Sequence, residues 1–173
     1  LRDVPPAVHE PIQRVALAAA RAARPLTGAD VALKWPNDLL IGDRKLAGVL
    51  CESTGDAVVV GIGVNVNGAV AELPPELAAR AATIGGVLGR WVERDAFLER
   101  LLAELAPWIE RYQAAGVAAI APAWEARMAA GLVVRTDRVT GVARGLDRDG
   151  ALVVEADGAR HRVLAGEVEW IAL

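Results

Sequence analysis

The chain has 173 residues, of which 54% are hydrophobic, and its formal net charge at pH 7 is −3. These values are typical of a globular protein with one ordinary domain and room for a small appendage. They argue against a general affinity for DNA or for anionic membranes, and no uncharged apolar run is long enough to predict a membrane span. The single cysteine, Cys51, excludes an internal disulfide and favours a reducing compartment, so we expect a cytoplasmic protein.

The first predicted elements are a helix and two strands. After Pro11, small and aliphatic residues recur at helical spacing with arginines on the other side, which predicts an amphipathic helix. Pro25 and Gly28 are expected to end this helix. A strand over residues 31–35, stopped by the following proline, and a short buried strand over residues 46–51 are predicted next.

Residues 57–67 form the clearest predicted strand. Because side chains alternate along a strand, one face carries apolar residues suited to a core. The opposite face offers bare backbone and two amides, on which a ligand could lie. The apolar face has Val60, Ile62, Val64 and Val66, and the other has Gly61, Gly63, Asn65 and Asn67.

A second long helix is predicted after residue 90. Asp95 is suited to cap its first turn, and Pro107 is expected to kink it. Apolar residues recur on one side of this helix, at Phe97, Leu98, Leu101, Leu102, Leu105, Trp108, Ile109 and Tyr112.

The residue pattern of the sequence changes near residue 130, where we predict a domain boundary. Beyond it, short Val/Leu runs alternate with turn signals, which predicts a small, strongly bent sheet or barrel. Two of these signals favour tight hairpins in which both turn residues have positive φ, namely Asp149-Gly150 and Asp157-Gly158.

Two lysines are the best candidates for binding an anion. Lys45 follows a predicted turn and precedes a buried strand, so its compact charge can be directed at a phosphate or carboxylate. Lys34 lies in a predicted strand between two apolar residues, where a charge must face a cavity, a partner or solvent. The alternative for both is a solvated lysine whose stem packs on the surface.

Other polar and glycine positions in the same segment support a ligand site. Asn37 and Asp38 follow a proline, which is also ordinary turn chemistry, but beside a phosphate Asp38 could hold Mg²⁺, position a lysine or accept a proton. Gly61 and Gly63 have no side chain and would let a ligand approach the backbone closely. Trp35 could stack on a ligand, but a tryptophan at such a position more often lies in the core. The sequence has neither a Cys/His cluster with zinc spacing nor a GxxxxGK[ST] phosphate loop.

Two motifs taken together resemble those of the biotin protein ligases. They are KWPNDLLIGDRKLAG at residues 34–48 and GIGVNVN at residues 61–67, and their order and spacing are far more specific than either alone. The resemblance extends over most of the chain. It implies an α+β fold, with a partial class II synthetase-like mixed sheet and flanking helices over residues 1–130 and a small SH3-like β-barrel over residues 131–173.

The resemblance also implies a reaction and its residues. These enzymes couple biotin to ATP, giving biotinoyl-5′-AMP and pyrophosphate, and then pass the biotinoyl group to a lysine of a carboxylase carrier protein. Lys45 would offset the charge of the two reacting anions, and Asp38 would help to deprotonate the incoming lysine. The implied binding residues are Lys34, Trp35, Asn37, Lys45, Gly48, Gly61, Gly63 and Asn65, with Mg²⁺ near Asp38 and Asn65.

One departure from the family pattern bears on activity. The family carries a GRGRxGR loop before the first helix of this chain, and the sequence contains no such loop. We therefore expect the C-terminal portion of a ligase, with weak or no activity by itself. The alternatives are a binding or folding module without catalysis and a relative of the lipoate ligases. Nucleic-acid binding is not indicated, and a homodimer stays open.

Overall fold

The computed structural model describes residues 6–54, 57–128, 133–164, 166 and 168–171. They form a mixed α+β fold with two antiparallel sheets. The first sheet contains, in spatial order, β1 (Val31–Lys34), β2 (Asp38–Ile41), β3 (Arg44–Thr54) and β4 (Ala57–Val64). The second contains β5 (Val133–Arg135), β6 (Thr140–Leu146), β7 (Leu152–Ala156), β8 (Ala159–Val163) and β9 (Glu169–Ile171), in the order β8-β7-β6-β5-β9.

Five α-helices are found among the described residues: α1 (Pro6–Thr27), α2 (Pro75–Ala78), α3 (Ile84–Leu88), α4 (Arg94–Ala115) and α5 (Ala121–Glu125). Two short 3-10 turns lie at Val70–Glu72 and Gly116–Ala119. In the described part of the chain, each helix is too short or too polar to cross a bilayer.

Helix α1 packs on the first sheet with one side and on α4 with another. The predicted apolar side is buried, and the predicted end is partly wrong. The helix continues past Pro25 to Thr27, and Gly28, at φ +64°, donates its N–H to the Arg24 carbonyl at 2.9 Å. Gly28 thus supplies the left-handed cap. Pro25 removes one main-chain donor near the end of the helix, and only two further residues follow it before the cap.

Strand β2 was not expected, because the turn chemistry of Asn37-Asp38 masked it. The first strand ends at Lys34, the chain turns over residues 35–37, and Asp38 pairs directly with Lys34. The Trp35–Pro36 peptide bond within this turn is cis. A three-residue connection makes β1 and β2 a tight hairpin.

Strands β3 and β4 present two different faces. The alternation predicted for β4 is confirmed, since Val66 is buried whereas Gly61 and Gly63 are exposed, although the strand itself ends at Val64. Strand β3 is longer than expected. Its Leu50 side chain is 55% exposed, so the strand is not fully buried as predicted. Among the described residues, α1 covers only one face of this sheet.

Helix α4 differs from its prediction in two respects. Its N-cap is Glu93, and Asp95 lies in the first turn, where a carboxylate still suits the helix dipole. The helix is continuous through Pro107. Only part of the predicted apolar side is buried, since Leu98 and Leu102 are 50% and 56% exposed.

The two predicted hairpin turns have different outcomes. Asp157 and Gly158 have φ of 51° and 75° between paired Ala156 and Ala159, as a two-residue turn requires. At the other turn only Gly150 has positive φ, 79°. That loop is longer because the Asp147 carboxylate accepts hydrogen bonds from two backbone N–H groups, those of Asp149 and Ala151.

The five strands of the second sheet form an open sheet in the described residues, with β8 and β9 at its edges. Polar contacts attach this sheet to α1, to the β1–β2 turn and to α5. The Gly150 carbonyl accepts hydrogen bonds from Gln13 Nε2 at 2.8 Å and from Trp35 Nε1 at 3.3 Å. Glu125 Oε1 accepts one from the Leu146 N–H at 2.9 Å.

Candidate active site

The uncovered face of the first sheet carries a row of four predicted site residues. Lys34 pairs with Asp38, Asp38 with Gly48 and Gly48 with Gly63, one on each successive strand. Residues directly opposite on neighbouring strands point to the same side of a sheet. With strands about 4.8 Å apart, the row spans roughly 14 Å. It ends on two glycines, whose bare backbone leaves the surface open to a ligand.

Lys45 is bent across this row. Its ammonium Nζ lies 2.6 Å from Asp38 Oδ1, and the two side chains are 51% and 22% exposed. A Cβ at Gly48 would lie 3.3 Å from both Cε and Nζ of Lys45, so the lysine stem lies directly over Gly48. An ion pair this exposed contributes little to stability. Its effect is to hold a positive charge above Gly48 and Gly63, the two glycines that form the floor of the site.

A β-bulge aims Lys45 at that floor. The register of β2 with β3 shifts between Leu39 and Leu40, so that Leu39 faces Ala47 and Leu40 faces Lys45. Leu46 and Ala47 are consecutive and both buried. The extra residue reverses the alternation, and Lys45 therefore shares a face with Gly48, three residues away.

The main chain of Lys45 is held by two other segments. Its N–H donates to the Arg80 carbonyl at 2.6 Å, and its carbonyl accepts the Ala82 N–H at 2.9 Å. The Asn65 side chain adds a bond from Nδ2 to the same carbonyl at 3.2 Å. Asn65 thus lies beside Lys45, with its amide nitrogen donating to the protein.

Three other polar side chains of the motifs make internal contacts. Asn37 Nδ2 donates to the Val49 carbonyl at 2.9 Å, which fixes the turn onto β3. Trp35 is 1% exposed and packs in the core. Asn67, which was expected on the open face, donates to the Val92 carbonyl at 2.7 Å and accepts the Val92 N–H at 3.0 Å. The ligand contacts expected of Trp35 and Asn37 remain predictions. In the structure both side chains contact the protein itself and support the site.

A cleft of about 1050 Å³ opens beside the row. Lys34, Asp38 and Lys45 line one wall of it, together with Leu40 and Arg80. Residues of the second sheet and its β5–β6 turn line the opposite wall, namely Arg135, Asp137, Glu169 and Trp170. No sequence signal pointed to Arg80, Arg135, Asp137 or Glu169, because their place in the cleft depends on how distant segments pack.

An apolar strip continues the open face away from the charges. Leu50 pairs with Gly61, and the next outward pair is Glu52 with Val59. Leu50 and Val59 are 55% and 57% exposed, unusually open for aliphatic residues of a sheet. The face therefore has an ammonium at one end and the exposed Leu50 beyond it, with the Glu52 carboxylate only at the outer pair. The part between Lys45 and Leu50 suits a small acid with an apolar body.

Nucleophilic and metal-cluster chemistry receive no support from the described residues. Burial raises the pKa of the Cys51 thiol to about 11, with only a partial offset from the charge of Arg14, so the thiol stays protonated and unreactive. The described residues include no group of three or more His, Cys, Asp or Glu side chains that could hold a metal ion by themselves.

Two family models match the chain. The biotin/lipoate A/B protein ligase family matches residues 2–68, and the biotin protein ligase C terminal domain matches residues 132–170. The biotin–[acetyl-CoA-carboxylase] ligase of Paracoccus denitrificans is 36% identical over 151 residues, which are 81% of this chain and 63% of that protein. The chain belongs to the biotin protein ligase family.

Other members of the family match over a similar range. The bifunctional ligase/repressor BirA of Escherichia coli (strain K12) is 33% identical over 150 residues, 82% of this chain and 47% of BirA. The chain thus spans about half the length of the curated relatives it matches.

The fold agrees with solved structures of the family. The apo structure of biotin protein ligase from Aquifex aeolicus superposes with a TM-score of 0.86 at 27% identity, covering 93% of this chain and 74% of that one. The Aquifex protein in complex with biotin and ATP superposes with a TM-score of 0.82 at 26% identity, covering 94% and 71%.

Proposed function

We propose that the protein is a biotin protein ligase, which activates biotin with ATP and transfers it to a lysine of a carboxylase carrier protein. The observation that carries the proposal is the Lys45 ammonium, held by Asp38 above the Gly48–Gly63 floor, in a chain of this family. The match to a biotin protein ligase C-terminal model favours biotin over lipoate. Relatives solved with biotin and ATP supply the substrate classes.

The open face offers a place for each part of biotin. The apolar ring system would lie along Leu50 and Gly61, and the carboxylate would point toward Lys45. The carboxylate oxygen attacks the α-phosphorus of ATP, the bond to the β-phosphate breaks, and pyrophosphate leaves. Both reactants are anions, so the Lys45 charge offsets their repulsion and the charge that grows in the transition state.

In the second step, the amine of the carrier lysine attacks the carbonyl carbon of biotinoyl-5′-AMP, and AMP leaves. The Asp38 carboxylate lies beside Lys45 and lines the cleft, where it could take the proton released by that amine. Asp38 and the Asn65 amide are hard oxygen donors near one face, which fits Mg²⁺ bound together with ATP phosphates. Such an ion would neutralise phosphate charge.

We also propose that residues 1–130 form a partial catalytic domain of the class II synthetase type and that residues 131–173 form a small SH3-like unit. The second sheet begins at Val133, and the separate C-terminal family model begins at residue 132. The second sheet forms one wall of the cleft, so it would help to position the nucleotide or the carrier.

Biotin-dependent exchange of labelled pyrophosphate into ATP tests the first step. In the intact protein, Lys45→Met should lower the exchange rate by roughly two to three orders of magnitude, because one preorganised charge is lost. Arg44→Met removes a cation from the neighbouring exposed position and is the matched control; it should retain most activity. Near-normal exchange by Lys45→Met would remove Lys45 from its proposed role.

A further inference from the structure

A second pocket lies at the edge of β1, outside the row of site residues. Its volume is about 420 Å³, and it is lined by Arg24, Asp30, Val31, Ala32, Ala126 and Arg127 among others. It shares Ala32 with the cleft described above, but Lys34, Asp38 and Lys45 do not line it. Residues of α1, of β1 and of the segment after α5 thus meet here, and three of the lining side chains are charged.

The charges in this pocket do not balance. Two guanidinium groups face a single carboxylate, that of Asp30, whose Oδ1 lies 3.6 Å from Arg24 Nη2. The Arg24 and Asp30 side chains are 62% and 95% exposed, so solvent weakens this ion pair and leaves Arg24 available to another anion. The pocket is therefore locally positive on a chain whose net charge is −3.

Arg127 forms no direct ion pair with a carboxylate of the described residues. It is half-buried, and its Nη1 donates to the Ala123 carbonyl at 3.0 Å. No carboxylate of the described residues lies within 4.0 Å of its guanidinium. Burial lowers the pKa of Arg127, the positive charges of Arg21 and Arg24 lower it further, and the negative charge of Asp30 offsets part of this shift. A bound anion would stabilise the charged form of Arg127 and so oppose both the burial and the repulsion.

We propose that this pocket is a binding site for a small phosphate-class dianion, held by the guanidinium groups of Arg24 and Arg127. Guanidinium forks match the oxygen geometry of phosphate and form charge-assisted hydrogen bonds with it. Arg21 is not part of the site, because Glu104 Oε2 lies 2.6 Å from its Nε. The proposal does not depend on the ligase reaction.

Titration calorimetry with inorganic phosphate at fixed ionic strength tests the site. We expect saturable one-to-one phosphate binding that Arg24→Gln and Arg127→Gln each weaken by about tenfold. Asp30→Asn removes the opposing carboxylate and should strengthen binding by about fivefold. Arg24→Gln leaves the bond from Arg127 to Ala123 in place, so its result stands even if Arg127→Gln fails to fold.

Two controls separate this site from others. Arg148→Gln removes a 91% exposed arginine whose Nε lies 3.6 Å from a carboxylate, the same distance as in the Arg24 pair, and it should leave binding unchanged. Lys45→Met should also leave it unchanged, because Lys45 lies outside the pocket. The proposal is overturned if phosphate shows no saturable binding, if Arg24→Gln binds like Arg148→Gln, or if Lys45→Met abolishes binding while Arg24→Gln retains it.

Discussion

Lys45 and Gly48 point to the same side of the sheet although three residues separate them. Regular strand alternation would place them on opposite sides. The bulge in β3 inserts the additional residue that brings them together. The KLAG motif therefore depends on an irregular backbone as much as on its lysine.

Gly48→Ala tests how closely the ammonium is positioned. An added methyl would lie 3.3 Å from Lys45 Nζ and 3.4 Å from Asp38 Oδ1, so the flexible lysine would move aside. We expect the unfolding free energy to change by less than about 1 kcal/mol, while biotin-dependent pyrophosphate exchange falls by about tenfold or more. Denaturant unfolding of the same variant is the control. Unchanged exchange would contradict a site that requires the lysine over this glycine.

Cys51 is expected to react slowly with thiol reagents. Its pKa of about 11, against an ordinary value of 9.0, leaves roughly 100-fold less thiolate at pH 8. Disulfide-reagent labelling in native buffer should be slower than in urea by at least this factor. Rapid native labelling would show that the thiol is not protected by burial.

The same shift predicts a loss of stability in alkali. The folded thiol keeps its proton to higher pH than the unfolded one, so the unfolded state is favoured as pH rises from about 9 toward 11. The unfolding free energy of Cys51→Ala should fall less over that pH range than that of the unsubstituted protein. An equal fall in the two proteins would mean that other groups cause the loss of stability.

At the scale of elements, the side chain of Asn67 fixes the segment that follows β4, beyond the last strand pair. Its two bonds to the Val92 main chain attach the strand end to the loop that begins α4. Asn65, two residues earlier, makes one longer bond at the edge of the open face. The two asparagines of GIGVNVN thus have different tasks, although they are identical in type and spacing.

This difference can be measured by alanine substitution. Asn67→Ala leaves both main-chain groups of Val92 without their partner, and we expect a loss of about 2–3 kcal/mol in unfolding free energy. Asn65→Ala should cost less than about 1 kcal/mol, because its bond is exposed. Urea unfolding of both variants compares them directly. Equal losses would mean that the Val92 contact does not stabilise the fold as argued.

For the whole molecule, one turn of the second sheet attaches it to the first. Gly150 has φ 79°, and its carbonyl accepts from both Gln13 and Trp35. A Cβ at this position would lie 2.6 Å from Gln13 Nε2, in a buried contact with no room for it. The shape of the cleft depends on this contact, since its two walls belong to different sheets.

Gly158 provides a matched control for Gly150. Its φ is 75°, but a Cβ there would meet nothing within 4 Å. Gly158→Ala should therefore cost only the backbone strain, about 1 kcal/mol. Gly150→Ala should cost about 2–3 kcal/mol, because the methyl also displaces Gln13. Urea unfolding of both variants makes the comparison, and equal losses would mean that the contact between the sheets adds no stability.

Much of the local structure followed from periodicity. The alternation in β4, the apolar side of α1 and the turn at Asp157-Gly158 needed only the chemistry of neighbouring residues. The predicted end of α1 was partly wrong, and strand β2 was not predicted. Pro25 and Asn37-Asp38 carry local signals for a helix end and a turn, and tertiary packing overrides them.

By itself, the sequence determined the family, the two motifs and the glycine face, since each rests on residue type and short spacing. Only the tertiary structure decided that Lys45 turns toward that face, that Trp35 is buried, and that Arg80, Arg135 and Trp170 border the same cleft. Those positions depend on a bulge and on contacts between segments more than 30 residues apart along the chain. A local pattern contains no information about such contacts, because their energy comes from surfaces that meet only after folding.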